Sequence, residues 1–345
     1  MGIKKIKKIM GIKRALLLSA GMGTRMGNIG KVLPKVLMPI FEKTLLELQI
    51  QFLKSIGIDE IYINVHHQAD MIENFVNHYL TSTIHVIRES TLLDIGGAIH
   101  NIAQLKTVNY QDHLLVVNSD QFLFVDKNIL FSLAKRVIED DFTAALIPLK
   151  VFKGDGDNYN GLLLNNENLL KEIKIAGEGL EDTNGSYYTY SGTSIINLNK
   201  IKKYKSSTPS KFFETVANYR DDTMKILVPV DHGNFEYWDF GTTKRYSNSI
   251  FNLLDSVIKE NKKSFVSFCI ENGVFDFKKV NFSKESKQSY GLTDRERTIN
   301  LSKNFFSKKE FQLGDEKRVV LLNELDDKIK IDKSAIYYRN LYDII

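Results

Sequence analysis

Three glycines and two cations near the start of the chain have the makings of a phosphate grip. Gly21, Gly23 and Gly27 stand in the string GMGTRMG, with Arg25 inside it and Lys35 a short way beyond. Glycines let backbone N–H groups close on phosphate oxygens, an arginine fork pairs with two oxygens at once, and a lysine supplies a point charge. Pro34 and Pro39 flank Lys35 and stiffen the segment that carries it. The string matches the dinucleotide pattern GxGxxG only with an extra residue, and at residues 41–44, about 20 positions on, no acidic residue closes a strand as that motif requires. Lys35 is also too far from Gly21, and lacks the following Ser or Thr, for a P-loop. Ordinary turn glycines would explain the string, but they leave Arg25 and Lys35 unexplained.

Residues of this kind need a frame. The apolar run 15–18 stops at Ser19, Ala20 and Gly21, which reads as a buried strand entering a tight loop. From Thr44, a capping residue, Leu45, Leu48, Phe52 and Ile56 recur at helical spacing, and Gly57 ends the pattern. Strands are predicted over 61–65, 84–87 and 114–117, with helices over 70–80 and 97–105. This alternation predicts an α/β fold: a Rossmann-like, mostly parallel sheet with helices on both faces, whose ligands gather at the carboxyl ends of the strands. The glycine loop and Asp120 both fall at such ends. Beyond Phe142 shorter strands with Asn and Gly turns are expected at 161–164, 169–175 and 190–196, followed by a helix over 243–259. The reading divides the chain into a basic, disordered tail (1–11), a catalytic domain (12–259) and a C-terminal extension (260–345). The extension is expected to be a small mixed domain, because no six-residue repeat of a β-helix is visible in it.

With 345 residues, 43% hydrophobic and 26% charged, the chain has an ordinary globular composition. Its net charge of +5 is small for this length, and the basic run Lys4, Lys5, Lys7, Lys8, Lys13 and Arg14 is not the concentrated stripe of a nucleic-acid binder. The apolar residues after that run are too few for a secretory signal, and no stretch approaches the roughly 20 apolar residues of a spanning helix. The single cysteine, Cys269, excludes an internal disulfide and suits a reducing cytoplasm. The expectation is therefore a cytoplasmic protein with neither nucleic acid nor membrane as partner. Trp238 reads as core, and His66 and His67 have no partner in the sequence that would make them metal ligands.

The segment LSAGMGTRMGNIGKVLPKVLMPI (18–40) resembles the signature of the sugar-1-phosphate nucleotidylyltransferases. Further segments follow in that family's order: ESTLLDIGGAI (89–99), VVNSD (116–120), YSGTSII (190–196) and YWDFGT (237–242). The resemblance spans roughly residues 12–255. It implies transfer of a nucleotidyl group from UTP or GTP to a sugar 1-phosphate, with Mg²⁺ as cofactor and pyrophosphate as the second product. The NDP-sugar would serve cell-surface glycan or cell-wall metabolism. By resemblance, Ala20, Gly21, Gly23, Thr24, Arg25 and Lys35 hold the triphosphate, while Glu89, Gly96 and Gly97 meet the base and ribose. Asn160, Gly161 and Gly192 match positions that contact the sugar, and Asp120 and Asp239 would hold the metal. Arg25, Lys35, Asp120 and Asp239 thus form the catalytic set. Each of these residues also has a plainer reading: an aspartate that caps a segment or pairs with a lysine, a glycine that makes a turn or packs a helix start.

Several positions depart from the family pattern. Asn28 and Ile29 stand where Pro and Leu are common, Asp94 and Ile95 where Gly and Thr are, and Ser119 where Gly is usual. The Glu-Lys pair expected near Ile175 and Ala176 is absent, which leaves Lys174 as the candidate contact to the sugar phosphate. With TYSG at 189–192, that absence makes the chain most similar to the N-acetylmuramate-1-phosphate uridylyltransferases and the mannose- or heptose-1-phosphate guanylyltransferases. The altered residues also keep open a second reading, a regulatory homologue that binds a nucleotide sugar without turnover.

Overall fold

The computed structural model describes residues 12–78, 82–108, 110, 112–152, 159–230, 235–260, 263–277, 280–282, 288–290, 298–300, 319–325, 334–339 and 341–344. The basic segment 1–11 lies outside them. Strand β1 (Arg14–Leu18) opens into three single 3₁₀ turns, Thr24–Met26, Ile29–Lys31 and Lys35–Leu37, and a small hairpin of β2 (Pro39–Ile40) and β3 (Lys43–Thr44). Helix α1 (Leu45–Ser55) starts where Thr44 predicts it. The Thr44 hydroxyl accepts from the Glu47 N–H, and the Glu47 carboxylate accepts from the Thr44 N–H, a capping box. β4 (Glu60–Val65), α2 (Ala69–Asn77), β5 (Ile84–Arg88), α3 (Asp94–Ala103) and β6 (His113–Asn118) continue the alternation. Then come β7 (Gln121–Phe124), α4 (Lys127–Glu139), β8 (Ala144–Phe152), β9 (Gly161–Leu164), β10 (Leu170–Lys174), β11 (Ser186–Asn197), α5 (Phe212–Thr215), β12 (Ile226–Leu227), β13 (Glu236–Asp239), α6 (Thr243–Ile258) and α7 (Ser264–Glu271).

The main sheet runs β10-β9-β11-β6-β1-β4-β5, with β8 and then β12 joined to β11. β6, β1, β4 and β5 are parallel, and β11 returns antiparallel beside β6. Strand pleating sends successive side chains to opposite faces. Ala15 and Leu17 enter one core with α1, α2, α4, α6 and α7, while Leu16 enters the other with α3 and α5. Helices therefore cover both faces, as the alternation predicts. Among the described residues no helix is long and apolar enough to cross a membrane.

The second half differs from expectation in strand length. β11 runs over 12 residues and β8 over 9, because their pairing shifts register between Tyr190 and Ser194, where Gly192 at φ +82° lets β11 bend and continue. The core also passes the boundary expected at residue 259. In α7, Phe265 and Phe268 pack on Phe122 and Phe52, with the Phe122 and Phe265 rings 4.4 Å apart, and Cys269 is fully buried beside them. The later strands β14 (Val280–Phe282), β15 (Gln288–Tyr290), β16 (Thr298–Asn300), β17 (Val319–Leu325), β18 (Ala335–Arg339) and β19 (Leu341–Ile344) form one sheet in chain order, with β15 to β18 parallel. Val320, Leu322 and Ile336 of this sheet join the core that holds α1 and α7, and β19 lies against the 3₁₀ turn Ile29–Lys31.

Candidate active site

The glycine loop closes on itself. Gly23 sits at φ +68°, and a Cβ there would meet the Gly30 carbonyl oxygen at 2.9 Å; a Cβ on Gly30 would in turn overlap the Gly23 oxygen. Met26 and Ile29 sink into the core and anchor the loop, so Arg25 is left standing out with 64% of its side chain exposed. Gly21 has open space where a Cβ would lie, so its backbone is accessible from the cleft.

Asp120 follows β6, and Asp239 ends β13. β13 pairs antiparallel with β7 in a register that sets Asp239 opposite Gln121, so the two aspartates are brought side by side from positions far apart in the chain. The Gly241 N–H donates to Asp239 Oδ1 at 2.7 Å, and a Cβ on Gly241 would lie 3.0 Å from both Asp120 Oδ2 and Asp239 Oδ1. Each carboxylate already faces a cation. Lys35 Nζ donates to Asp120 Oδ2 at 2.5 Å, with Arg25 Nη2 at 3.9 Å from the same oxygen, and Arg245 Nη1 donates to Asp239 Oδ2 at 2.8 Å. The Tyr237 hydroxyl lies 3.4 Å from Asp239 Oδ2; burial, and then the negative charge of Asp239, hold this phenol well above its ordinary pKa. Among the described residues no cluster of three or more His, Cys, Asp or Glu could enclose a metal alone. Two converging carboxylates beside a phosphate loop suit a hard cation such as Mg²⁺, which takes one or two carboxylates and completes its shell with phosphates and water.

A cleft of about 540 Å³ opens between the loop, β4, α3 and β6, lined among others by Ala20, Gly21, Arg25, Lys35, Glu89 and Asp120. Glu89 is 4% exposed at its wall. Its carboxylate accepts from Asn64 Nδ2 at 2.8 Å and from the Leu93 N–H at 3.1 Å, and Asn64 Oδ1 accepts from the Ser19 N–H at 2.9 Å. Burial raises the Glu89 pKa, and these two hydrogen bonds oppose the rise. Asp94, which lines the same cleft, holds φ +60°, a conformation glycine adopts without strain.

The expected residues divide into two groups. Ala20, Gly21, Arg25, Lys35, Glu89 and Asp120 line one cleft, with Asp239 beside Asp120. Gly23 shapes the loop from within, and Thr24 is exposed on it. Gly96 and Gly97, expected against base and ribose, leave room for another part of the chain. Cβ atoms there would meet the Ser210 and Lys211 carbonyl oxygens at 2.7 Å and the Thr208 oxygen at 2.6 Å, and the Gly97 N–H donates to the Ser210 oxygen. The strap they accommodate presents Pro209 to the cleft. Gly161 packs on the Gly177 backbone and the Leu180 side chain, and Gly192, at φ +82°, on the side-chain amides of Asn118 and Gln121. The Asn160 carbonyl accepts from the Thr189 hydroxyl at 2.8 Å. Lys174 ends the outermost strand of the sheet and pairs with Glu172 at 2.8 Å. Trp238 is 6% exposed, a core residue as its composition suggests.

Asn64, Asn118, Tyr159, Tyr237 and Arg245 escape the sequence reading. Asn64 and Asn118 had a signal, a polar residue at the carboxyl end of an apolar parallel strand. Arg245 had none, since it sits in an ordinary first helical turn.

Residues 15–153 match the family model of the MobA-like NTP transferase domain. A D-glycero-α-D-manno-heptose 1-phosphate guanylyltransferase of Campylobacter jejuni is 35% identical over 231 residues, covering 64% of this chain and 98% of that protein. A protein of the same name from Aneurinibacillus thermoaerophilus is 30% identical over 143 residues, 41% of this chain and 60% of its own length. Among solved structures, HddC from Yersinia pseudotuberculosis complexed with GMP-PN superposes with a TM-score of 0.54 at 19% identity, covering 70% of this chain and 99% of that one. UDP-glucose pyrophosphorylase complexed with UDP-glucose gives the same TM-score at 15% identity, covering 72% and 100%. These two likenesses establish the fold. With the Campylobacter relative matched over nearly its whole length, the chain belongs to the sugar-1-phosphate nucleotidylyltransferases, enzymes that transfer a nucleotidyl group from a nucleoside triphosphate to a sugar 1-phosphate and release pyrophosphate.

Proposed function

We propose that the chain makes a GDP-sugar from GTP and a mannose- or heptose-type sugar 1-phosphate, with Mg²⁺ held between Asp120 and Asp239. The observation that carries this reading is the meeting of those two carboxylates at Gly241, beside Lys35 and Arg25. The open backbone at Gly21 and the exposed Arg25 guanidinium bind the β- and γ-phosphates, and Lys35 swings from Asp120 to the α-phosphate. A phosphate oxygen of the sugar attacks the α-phosphorus in line. The new P–O bond forms as the bridging P–O bond to the β-phosphate breaks, and pyrophosphate leaves with the electron pair beside Arg25. The attacking oxygen is already anionic, so no protein base is needed; alignment and charge neutralisation carry the rate. The bound cation would supply Lewis-acid neutralisation of the phosphates facing it.

The choice of GTP rests on Glu89. A carboxylate only accepts hydrogen bonds, and guanine offers two adjacent donors, N1–H and the N2 amine, where uracil flanks its one N–H with two carbonyls. Asp94 adds a second carboxylate to the same cleft. The guanylyltransferase relatives support the same base.

The test is a matrix of GTP, UTP, ATP and CTP against a panel of sugar 1-phosphates, with Mg²⁺ and pyrophosphatase, read as phosphate release. GTP with mannose or heptose 1-phosphate should release most. Release from no pair would overturn the activity, and preference for UTP would overturn the base.

A further inference from the structure

Helix α3 begins on an aspartate where the backbone suits glycine. Asp94 holds φ +60°, a left-handed conformation that glycine takes freely and aspartate at some cost. The chain on either side enforces it. Before Asp94, the Leu93 N–H donates to Glu89 Oε2 at 3.1 Å, and the Leu93 carbonyl accepts from the Ser210 N–H at 3.0 Å. After it, Gly96 and Gly97 leave room for the carbonyl oxygens of Thr208, Ser210 and Lys211 to press on the helix, and the Gly97 N–H donates to the Ser210 oxygen at 3.1 Å. Backbone strain held from both sides points to a side chain kept for use.

That side chain is exposed and lines the cleft together with Glu89, Leu92 and Ile95. Asp94 Oδ1 accepts from the Ile95 N–H at 2.6 Å, which fixes the direction of the carboxylate and leaves most of its lone pairs for a ligand. Glu89 is placed differently. It is 4% exposed, and each of its oxygens already accepts one hydrogen bond, from Asn64 or from Leu93. Its remaining capacity suits one donor of a base, whereas guanine presents two neighbouring groups, N1–H and the N2 amine.

We infer that Asp94 is the residue that selects guanine, by accepting from its N2 amine while Glu89 accepts from N1–H. This inference rests on the proposed use of GTP. With uracil in the same pose, N3–H meets Glu89 and a carbonyl oxygen faces the Asp94 carboxylate, acceptor against acceptor. Asp94 therefore rejects UTP as well as holding GTP. The glycine common in the family at this position would do neither.

The test is titration calorimetry of wild type, Asp94→Gly and Asp94→Asn with GTP, with UTP and with inosine triphosphate, which is GTP without the N2 amine. Wild type should bind GTP about tenfold or more tightly than inosine triphosphate. Asp94→Gly should lose that preference, with GTP weakened about tenfold and inosine triphosphate changed less than about twofold, and it should bind UTP more tightly than wild type does. Its melting temperature should hold or rise, because glycine relieves the left-handed backbone. Asp94→Asn, which keeps the shape and one acceptor oxygen, should fall between the two. A preference for GTP over inosine triphosphate that survives in Asp94→Gly would overturn the inference. An equal loss for all three nucleotides would overturn it in favour of a ribose contact or a cap on α3, the cap showing also as a lower melting temperature. A wild type that prefers UTP would overturn the proposed base and the role of Asp94 with it. A wild type that binds GTP selectively but turns over no pair would overturn the proposed reaction alone, since the GTP to inosine triphosphate ratio still decides on Asp94.

Discussion

Asp120 and Asp239 each place one carboxylate oxygen 3.0 Å from the point where Gly241 would carry a Cβ. The residue between them is therefore glycine for lack of space, since Gly241 is not among the glycines with positive φ and its backbone suits alanine. Gly241→Ala should push the carboxylates apart without unfolding the protein. The expected result is a rise of about tenfold or more in the Mg²⁺ concentration needed for half-maximal activity, as for lost support around a metal site. Its thermal melting should stay close to wild type.

Asp120→Asn keeps the shape of the site and removes one charge. Lys35 then loses its ionic partner, and the carboxylate pair proposed to hold Mg²⁺ is left with one charge. A fall in kcat of roughly a hundredfold to a thousandfold is expected, the scale of losing one electrostatic element of a reaction centre. Steady-state kinetics at saturating GTP would measure it.

Glu89 gives a pH signature. Its pKa is raised by burial, so protonation begins above the usual carboxylate range, and the protonated form loses an acceptor facing the base. KM for GTP should therefore increase as the pH falls toward that raised value, and Glu89→Gln should lack this acid limb. The sign for stability is opposite to that of a salt-bridged acid. A raised folded-state pKa favours the folded form at pH values below the ordinary carboxylate pKa, and this contribution is lost as pH climbs through the raised value. Denaturant titrations of wild type and Glu89→Gln across that window would show the difference narrowing toward acid.

Gly30 should tolerate no side chain, because its Cβ would meet the Gly23 backbone and not a flexible side chain. Gly30→Ala is expected to cost about 1–3 kcal/mol of stability, the range of an overpacked site. It should also weaken GTP binding, because Arg25 and Gly21 ride on the displaced loop. Chemical denaturation and GTP titration would read the two effects separately.

Much of this was legible in the sequence, for identifiable reasons. Parallel strands buried on both faces appear as short apolar runs, so β1, β4 and β6 stand out, and Thr44 and Gly57 punctuate α1. Lys35, Glu89 and Asp120 lie near the ends of such strands or on the loop after the first, where ligands collect. Residues whose roles depend on distant partners were not legible in the same way. Gly96 and Gly97 look like ligand-approach glycines until the strap around Ser210, over a hundred positions later, fills the space above them. Arg245 becomes part of the site only through the β7–β13 pairing that delivers Asp239. Phe265 and Phe268 sit in a stretch rich in Lys and Ser, yet they complete a core begun by Phe52 and Phe122.

The contact between β19 and the turn Ile29–Lys31 ties the phosphate loop to a strand lying about three hundred residues further along the chain, a separation at which closing the contact is slow and entropically costly. This brace is therefore expected to form late in folding and to open early. In hydrogen exchange, amides of the 3₁₀ turn and of β19 should open together, ahead of β1 and β6, so that wear at the far end of the chain is felt first at the triphosphate.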